Sequence, residues 1–160
     1  MVLMEDGTVR AWGSNSSRQS NPLSATHPWT NTSKVIVSNI KKICAGSYQC
    51  YAINEDDELV DWGSNGFRSC NPDSALEYWV DVNTVILSDV KDITGIGLGV
   101  IVLHNNGNVV GFGMNYSRNI YPFTSSNVWT DKTAVIISGV SKLAEGTSNN
   151  SVVILSDGLS

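Results

Sequence analysis

Charge is scarce in this chain. Acidic and basic side chains together make up 16% of its 160 residues, and fifteen acidic residues outnumber ten basic ones. The net charge is −5 and the pI about 4.8, and the nearest approach to a basic stripe is the single pair Lys41-Lys42. Nucleic-acid binders carry such a stripe, so no nucleic-acid partner is expected. Apolar runs are short, and none approaches the roughly 20 residues that span a bilayer. The opening Met1-Val2-Leu3-Met4-Glu5-Asp6-Gly7 lacks the basic and apolar regions of a signal peptide. That leaves the compartment open, with a lean toward the cytoplasm.

Reactive residues are few. Cys44, Cys50 and Cys70 are the only cysteines, an odd number at irregular spacing that fits neither a disulfide framework nor a zinc site. They read as packed, reduced thiols. His27 and His104 are the only histidines. No nucleophile elbow, phosphate-binding lysine loop or zinc-protease helix occurs. Without a convergent titratable set, the expectation is no catalysis, no metal and no cofactor. Helical periodicity is missing too. What is present is a 41% hydrophobic composition, enough for a packed core.

The chain has a repeat. Trp12-Gly13-Ser14-Asn15 returns as Trp62-Gly63-Ser64-Asn65 and as Phe112-Gly113-Met114-Asn115. Arg18, Arg68 and Arg118 keep the same step of 50, as do Pro22, Pro72 and Pro122, and Trp29, Trp79 and Trp129. Val35-Ile36-Val37, Val85-Ile86-Leu87 and Val135-Ile136-Ile137 follow in phase. The units run about 1–50, 51–100 and 101–150, with a partial repeat over 151–160. The array reads as a single domain.

Each unit reads as strands. Short apolar runs flank turns at Asp6-Gly7, Asp56-Asp57 and Asn106-Gly107, the pattern of a hairpin. Val35–Val37 and Ile40–Ala45 supply two further strands per unit. A four-stranded antiparallel unit repeated at this length predicts an all-β propeller, with three blades and a partial fourth. Gly95-Ile96-Gly97-Leu98-Gly99 falls at the place of Ala45-Gly46-Ser47 and reads as part of this repeat, not as a phosphate loop. The acidic run Glu55–Glu58 reads as a solvated turn.

The stretch Val37–Gly46, followed by Tyr51–Asn65 with its Asp56-Asp57 turn and Trp62-Gly63-Ser64-Asn65, resembles the RCC1-like repeat of the bacterial type. The resemblance covers essentially the whole chain and implies a propeller. The Gly-Gln-Leu-Gly-like stretch usual in that family is replaced here by Arg18–Asn21, Arg68–Asn71 and Arg118–Tyr121. Nothing carries over exchange activity on a small GTPase. Family propellers have about seven blades, and a three-bladed ring is too tight. The first unit lacks the strand equivalent to Ile40–Ala45, and Val140–Glu145 is a spare copy of it. The expectation is therefore a homo-oligomer, a head-to-tail dimer closing a six-bladed ring.

The functional expectation is a non-enzymatic scaffold binding a protein partner through its loops. The alternative is a lectin-like glycan binder with one site per blade. Trp29, Trp79 and Trp129 lie in the long connection of each unit, followed two positions later by Asn31, Asp81 and Asp131. A ring beside a carboxamide or carboxylate stacks on a sugar and bonds its hydroxyls; a ring pinned under its own loop favours the protein scaffold instead. Arg18, Arg68 and Arg118 flank the same surface.

Overall fold

The computed structural model describes residues 1–24, 29–30, 34–145 and 153–155. His27 and Asn31 lie outside them, and Trp29 is described by its backbone alone. Among the described residues the fold is all β, with no helix. In chain order the strands are β1 (Val2–Leu3), β2 (Val9–Arg10), β3 (Gly13–Ser14), β4 (Trp29–Thr30) and β5 (Val35–Val37). Then come β6 (Ile40–Ala45), β7 (Gln49–Asn54), β8 (Leu59–Ser64) and β9 (Tyr78–Trp79). The next set is β10 (Val90–Ile96), β11 (Gly99–His104), β12 (Val109–Met114) and β13 (Val128–Trp129). Last are β14 (Val140–Leu143) and β15 (Val153–Leu155).

Two sheets are complete, in the orders β6-β7-β8-β9 and β10-β11-β12-β13, with all neighbours antiparallel. Ahead of them stand a β1-β2-β5 sheet and a β3-β4 pair, and after them the pair β14-β15. The predicted hairpins form in register, with Leu3 opposite Val9, Ile53 opposite Leu59 and Leu103 opposite Val109. Their turns need a left-handed residue, and Gly7 (φ 75°), Asp57 (62°) and Gly107 (82°) provide it.

Two placements differ from the sequence reading. Val35–Val37 is a strand, but its equivalents Val85–Leu87 and Val135–Ile137 meet the sheet only at the bridges Leu59–Leu87 and Val109–Ile137. The fourth strand of each complete sheet is instead β9 or β13, which lies in what read as a connecting loop. Each is two residues long, too short for a period-2 pattern to be visible. In addition, β6 and β10 head each sheet ten residues before the unit boundaries at 50 and 100, so sheets and sequence units are out of phase.

The core lies between sheets. One cluster joins Tyr51, Ile53, Leu59 and Ile86 of the second sheet to Val90, Ile93, Val100, Val102, Val110 and Phe112 of the third. Another joins Val9, Ala11 and Ile36 of the first sheet to Ile40, Cys50, Ala52, Val60, Trp62 and Val82 of the second. A third places Ile96, Ile101, Leu103, Val109 and Ile120 against Val140 and Leu143. Strands β7, β8, β11 and β12 are consequently buried on both faces. Gly63 and Gly113 sit within this packing at φ 115° and 116°, and a Cβ on Gly113 would stand 2.5 Å from the Cα of Gly99. No other residue fits that approach.

Polar ties reinforce the seams. Trp62 Nε1 donates to the Gln19 carbonyl at 2.9 Å. Gln49 Nε2 and the Ser47 amide both donate to the Gly97 carbonyl, at 2.8 and 3.0 Å. Lys42 pairs with Asp92 between inner strands, and Lys132 Nζ with Asp73 at 2.5 Å between outer loops. Lys41, the other half of the one basic pair, is engaged by Asp57. Among the described residues the cysteines are free thiols, with Cys50 and Cys70 buried.

Candidate functional site

The long connection of each sheet is built around one buried asparagine. Asn65 Oδ1 accepts from the amides of Cys70 (3.1 Å) and Asn71 (3.0 Å), while its Nδ2 donates to the carbonyls of Ser74 and Leu76, both at 3.1 Å. Asn115 repeats this with the amides of Ile120 (3.0 Å) and Tyr121 (2.9 Å) and the carbonyls of Tyr121 and Ser126, both at 3.1 Å. Asn15 does so with Ser20 (3.0 Å) and Asn21 (2.7 Å). One carboxamide thus uses both its donor and acceptor ends to organise a whole loop.

Each asparagine also closes a turn through its carbonyl, which accepts the amide of Arg18, Arg68 or Arg118 at 3.0, 2.8 and 3.0 Å. The three arginines are left-handed, at φ 60°, 55° and 54°. That conformation costs a non-glycine residue roughly 1–2 kcal/mol. Their side chains do different things. The Arg18 guanidinium lies 5.6 Å from the centre of the Tyr78 ring, across the first seam. Arg68 Nη1 donates to the Pro72 carbonyl at 3.1 Å, and Arg118 is exposed. Nearby, Phe67 and the exposed Tyr116 meet edge to face at 5.8 Å.

Trp79 and Trp129 are half-buried and pack against the core clusters of their seams. One face of Trp129 is covered by Tyr121, stacked parallel at 4.0 Å, and its Nε1 donates to the Asp131 carbonyl at 3.0 Å. The carboxylates of Asp81 and Asp131 fasten their own turns. Asp81 accepts from the Asn83 amide (3.1 Å) and the Thr84 hydroxyl (2.5 Å); Asp131 accepts from the Thr133 amide (3.1 Å) and hydroxyl (2.7 Å). Those hydroxyl bonds, then the amide bonds, hold both carboxyls below the ordinary carboxylate range. The structure therefore gathers tryptophan, aspartate and arginine on the same loops. It leaves the rings of Trp79 and Trp129 half-buried against the seams.

Several features of this surface were not read from the sequence. Between the first and second sheets a groove of about 300 Å³ is lined by Leu23, Val35–Ser38 and Val80–Asn83. Between inner strands lies a cavity of about 420 Å³ lined by Lys42–Cys44, Asp92–Thr94 and Lys142–Glu145. The third feature is Asp61 on β8. It is fully buried, with neither carboxylate oxygen hydrogen-bonded among the described residues. Burial pushes its acid well above the ordinary range, against a small opposing effect of Lys132. The repeat held a signal for it: the in-phase residues are Ala11 and Gly111, so Asp61 is the polar exception at an apolar position.

No protein-family model and no curated protein matches the sequence. Solved structures do match. Yeast RCC1 (Prp20) in complex with Kap60 superposes with a TM-score of 0.65 at 20% identity, over 98% of this chain and 39% of that one. Prp20p from Saccharomyces cerevisiae gives 0.64 at 18%, over 98% and 41%. Human WBSCR16 gives 0.63 at 14%, over 89% and 39%. The fold is an RCC1-like β-propeller. The chain spans about two fifths of the length of each of these proteins. In RCC1-like terms the complete sheets are two blades, and the pinned connections are their outer loops.

Asp61 yields a prediction with a fixed sign. A folded-state pKa raised above the unfolded value of about 3.9 means that the folded chain binds the extra proton, so stability falls as pH rises through that window. Asp61→Ala removes the effect and copies Ala11. Urea midpoints should show the variant gaining about 1–3 kcal/mol over the parent at pH 7, with the gain shrinking toward pH 4. A gain that grows on acidification contradicts the assignment.

Proposed function

We propose that this chain is a non-catalytic scaffold that binds a protein partner through its outer loops. The observation that carries the reading is the arginine set. Stability alone favours glycine at a left-handed turn, yet arginine stands there in all three units, while its neighbours change from Ser17 to Phe67 and Ser117. The local contacts of the three guanidinium groups differ, so no shared structural task accounts for them. Their common property is a place on the outer loops, with Arg118 exposed and Arg18 and Arg68 half-buried, and arginine beside aromatic residues is enriched at protein interfaces.

In this reading Arg18, Arg68 and Arg118 meet the partner. Trp79 and Trp129, with Asp81 and Asp131, fix the loops that present them. Trp29 and Asn31 are assigned the same part in the first unit, on the repeat alone. The acidic balance of the chain favours a partner of opposite charge. The comparison proteins add support: Prp20p was studied for its binding to Gsp1p and histones, and yeast RCC1 was captured bound to Kap60.

The reading also assigns a closure. Trp62 and Phe112 have no exposed area, whereas Trp12, at the same position of the first unit, is 49% exposed. A second copy covering that face would complete a six-bladed ring of two chains.

The test replaces the three arginines together by glycine, which suits the turn. R18G/R68G/R118G should be at least as stable as the parent and lose a partner that the parent chain captures. Capture unchanged by the triple variant contradicts the rim. For closure, sedimentation equilibrium should return twice the 17.3 kDa chain mass. A folded monomer at all concentrations contradicts it.

A further inference from the structure

The groove at the first seam supports a more specific inference, which rests on the scaffold reading above. It is lined by Val35 and Val37 of β5, by Val80 and the buried Val82 in the segment after β9, and by Leu23. Leu23 is 66% exposed and Val35 is 40% exposed, both large apolar side chains open to water. Its volume of about 300 Å³ sits at the lower end of ligand clefts. The polar side chains that line it are Ser38, Asp81 and Asn83. The Asp81 carboxylate is exposed, and its Asn83 and Thr84 hydrogen bonds favour the ionised form.

The repeat supplies an internal comparison. At the second seam Val85-Ile86-Leu87-Ser88 replaces Val35-Ile36-Val37-Ser38 almost unchanged, and Asp131 replaces Asp81. Three positions change in character: Leu23 becomes Asp73, Val80 becomes Thr130, and Val82 becomes Lys132. There Lys132 pairs with Asp73 at 2.5 Å across the blades, and its side chain is only 22% exposed. A lysine stem is thus covered at the second seam, with its ammonium neutralised at the rim. At the first seam the same place holds Leu23 and the buried Val82, Leu23 and Val35 stay exposed, and the Asp81 carboxylate lines the groove without a salt-bridge partner among the described residues.

We propose that the first-seam groove is a docking slot for an apolar–basic segment of a partner protein: an aliphatic side chain lies against the exposed Leu23 and Val35, and an adjacent lysine or arginine reaches Asp81. The partner supplies at the first seam the cation that the chain itself supplies at the second. The net charge of −5 steers such a segment toward the surface. An exposed ion pair adds little, so Asp81 selects among apolar segments more than it strengthens binding.

The test titrates the full chain with three capped tetrapeptides, Gly-Leu-Lys-Gly, Gly-Leu-Gln-Gly and Gly-Leu-Glu-Gly, and follows valine methyl shifts by NMR. The lysine peptide should move the methyls of Val35, Val37, Val80 and Val82 saturably. It should bind about 3- to 5-fold more tightly than the glutamate peptide, and that preference should collapse in Asp81→Asn. The double variant L23D/V82K, which installs the second seam's own pair, should abolish the shifts. Asp81→Asn removes the charge at an exposed position, keeps an oxygen to accept from the Asn83 amide, and keeps the test decisive if the double variant fails to fold. No saturable shift, or equal binding of the three peptides, overturns the proposal. So does a solution mass that falls in L23D/V82K, since that would make a second copy the occupant. A partner that is still captured by L23D/V82K but lost by R18G/R68G/R118G would leave the scaffold standing and remove only the groove from it.

Discussion

Everything in this molecule depends on apolar faces of one sheet pressing on those of the next. A single four-stranded sheet of this size has no core of its own. Here Tyr51, Ile53 and Leu59 are buried only because Val100, Val102 and Phe112 lie against them. Trp62 is buried because the first sheet brings Val9, Ala11 and Ile36 to it. Burying a large side chain is worth about 1.5–3 kcal/mol, and each seam buries several. The hydrogen bonds that cross the seams, from Trp62 to Gln19 and from Gln49 to Gly97, fix how the faces register. Stability in such an array resides in units and interfaces, as in other repeat proteins.

The same stacking sets out the surface. Because the sheets repeat, the starts of their outer loops repeat, and Asn15, Asn65 and Asn115 accept the same pair of backbone amides in each. Once that frame is fixed, side chains on it vary at little structural cost. The seams illustrate this: Leu23 and Val82 leave one groove open, while Asp73 and Lys132 bridge the next. Repetition therefore provides both the scaffold and the means of making its sites unequal.

Much of the fold was legible because periodicity is a strong signal. The step of 50, the Asp6-Gly7 and Asn106-Gly107 turns and the Trp-Gly-Ser-Asn motif led to the hairpins and the blade. The outer strands β9 and β13 were not legible, since two residues such as Tyr78-Trp79 carry no alternation and gain their strand character from Gly63 and Ser64 opposite. For the same reason the sequence left open whether the tryptophans stack on a ligand or pin their own loops. Their packing against the seams depends on residues distant in sequence, such as Val100 and Ile101 in the clusters that Trp79 and Trp129 join. The left-handed arginines could be located by phase, but their backbone conformation could not. Asp61 was visible only as an odd residue between Ala11 and Gly111.

The seam account meets its most direct test at Trp62, whose equivalent in the next unit is Phe112. If the ring works by filling the space between sheets, Trp62→Ala should cost about 3–5 kcal/mol in urea unfolding, and Trp62→Phe less than half of that. A small cost for Trp62→Ala, or equal costs for the two variants, would mean that the sheets do not depend on one another, and the account would be wrong.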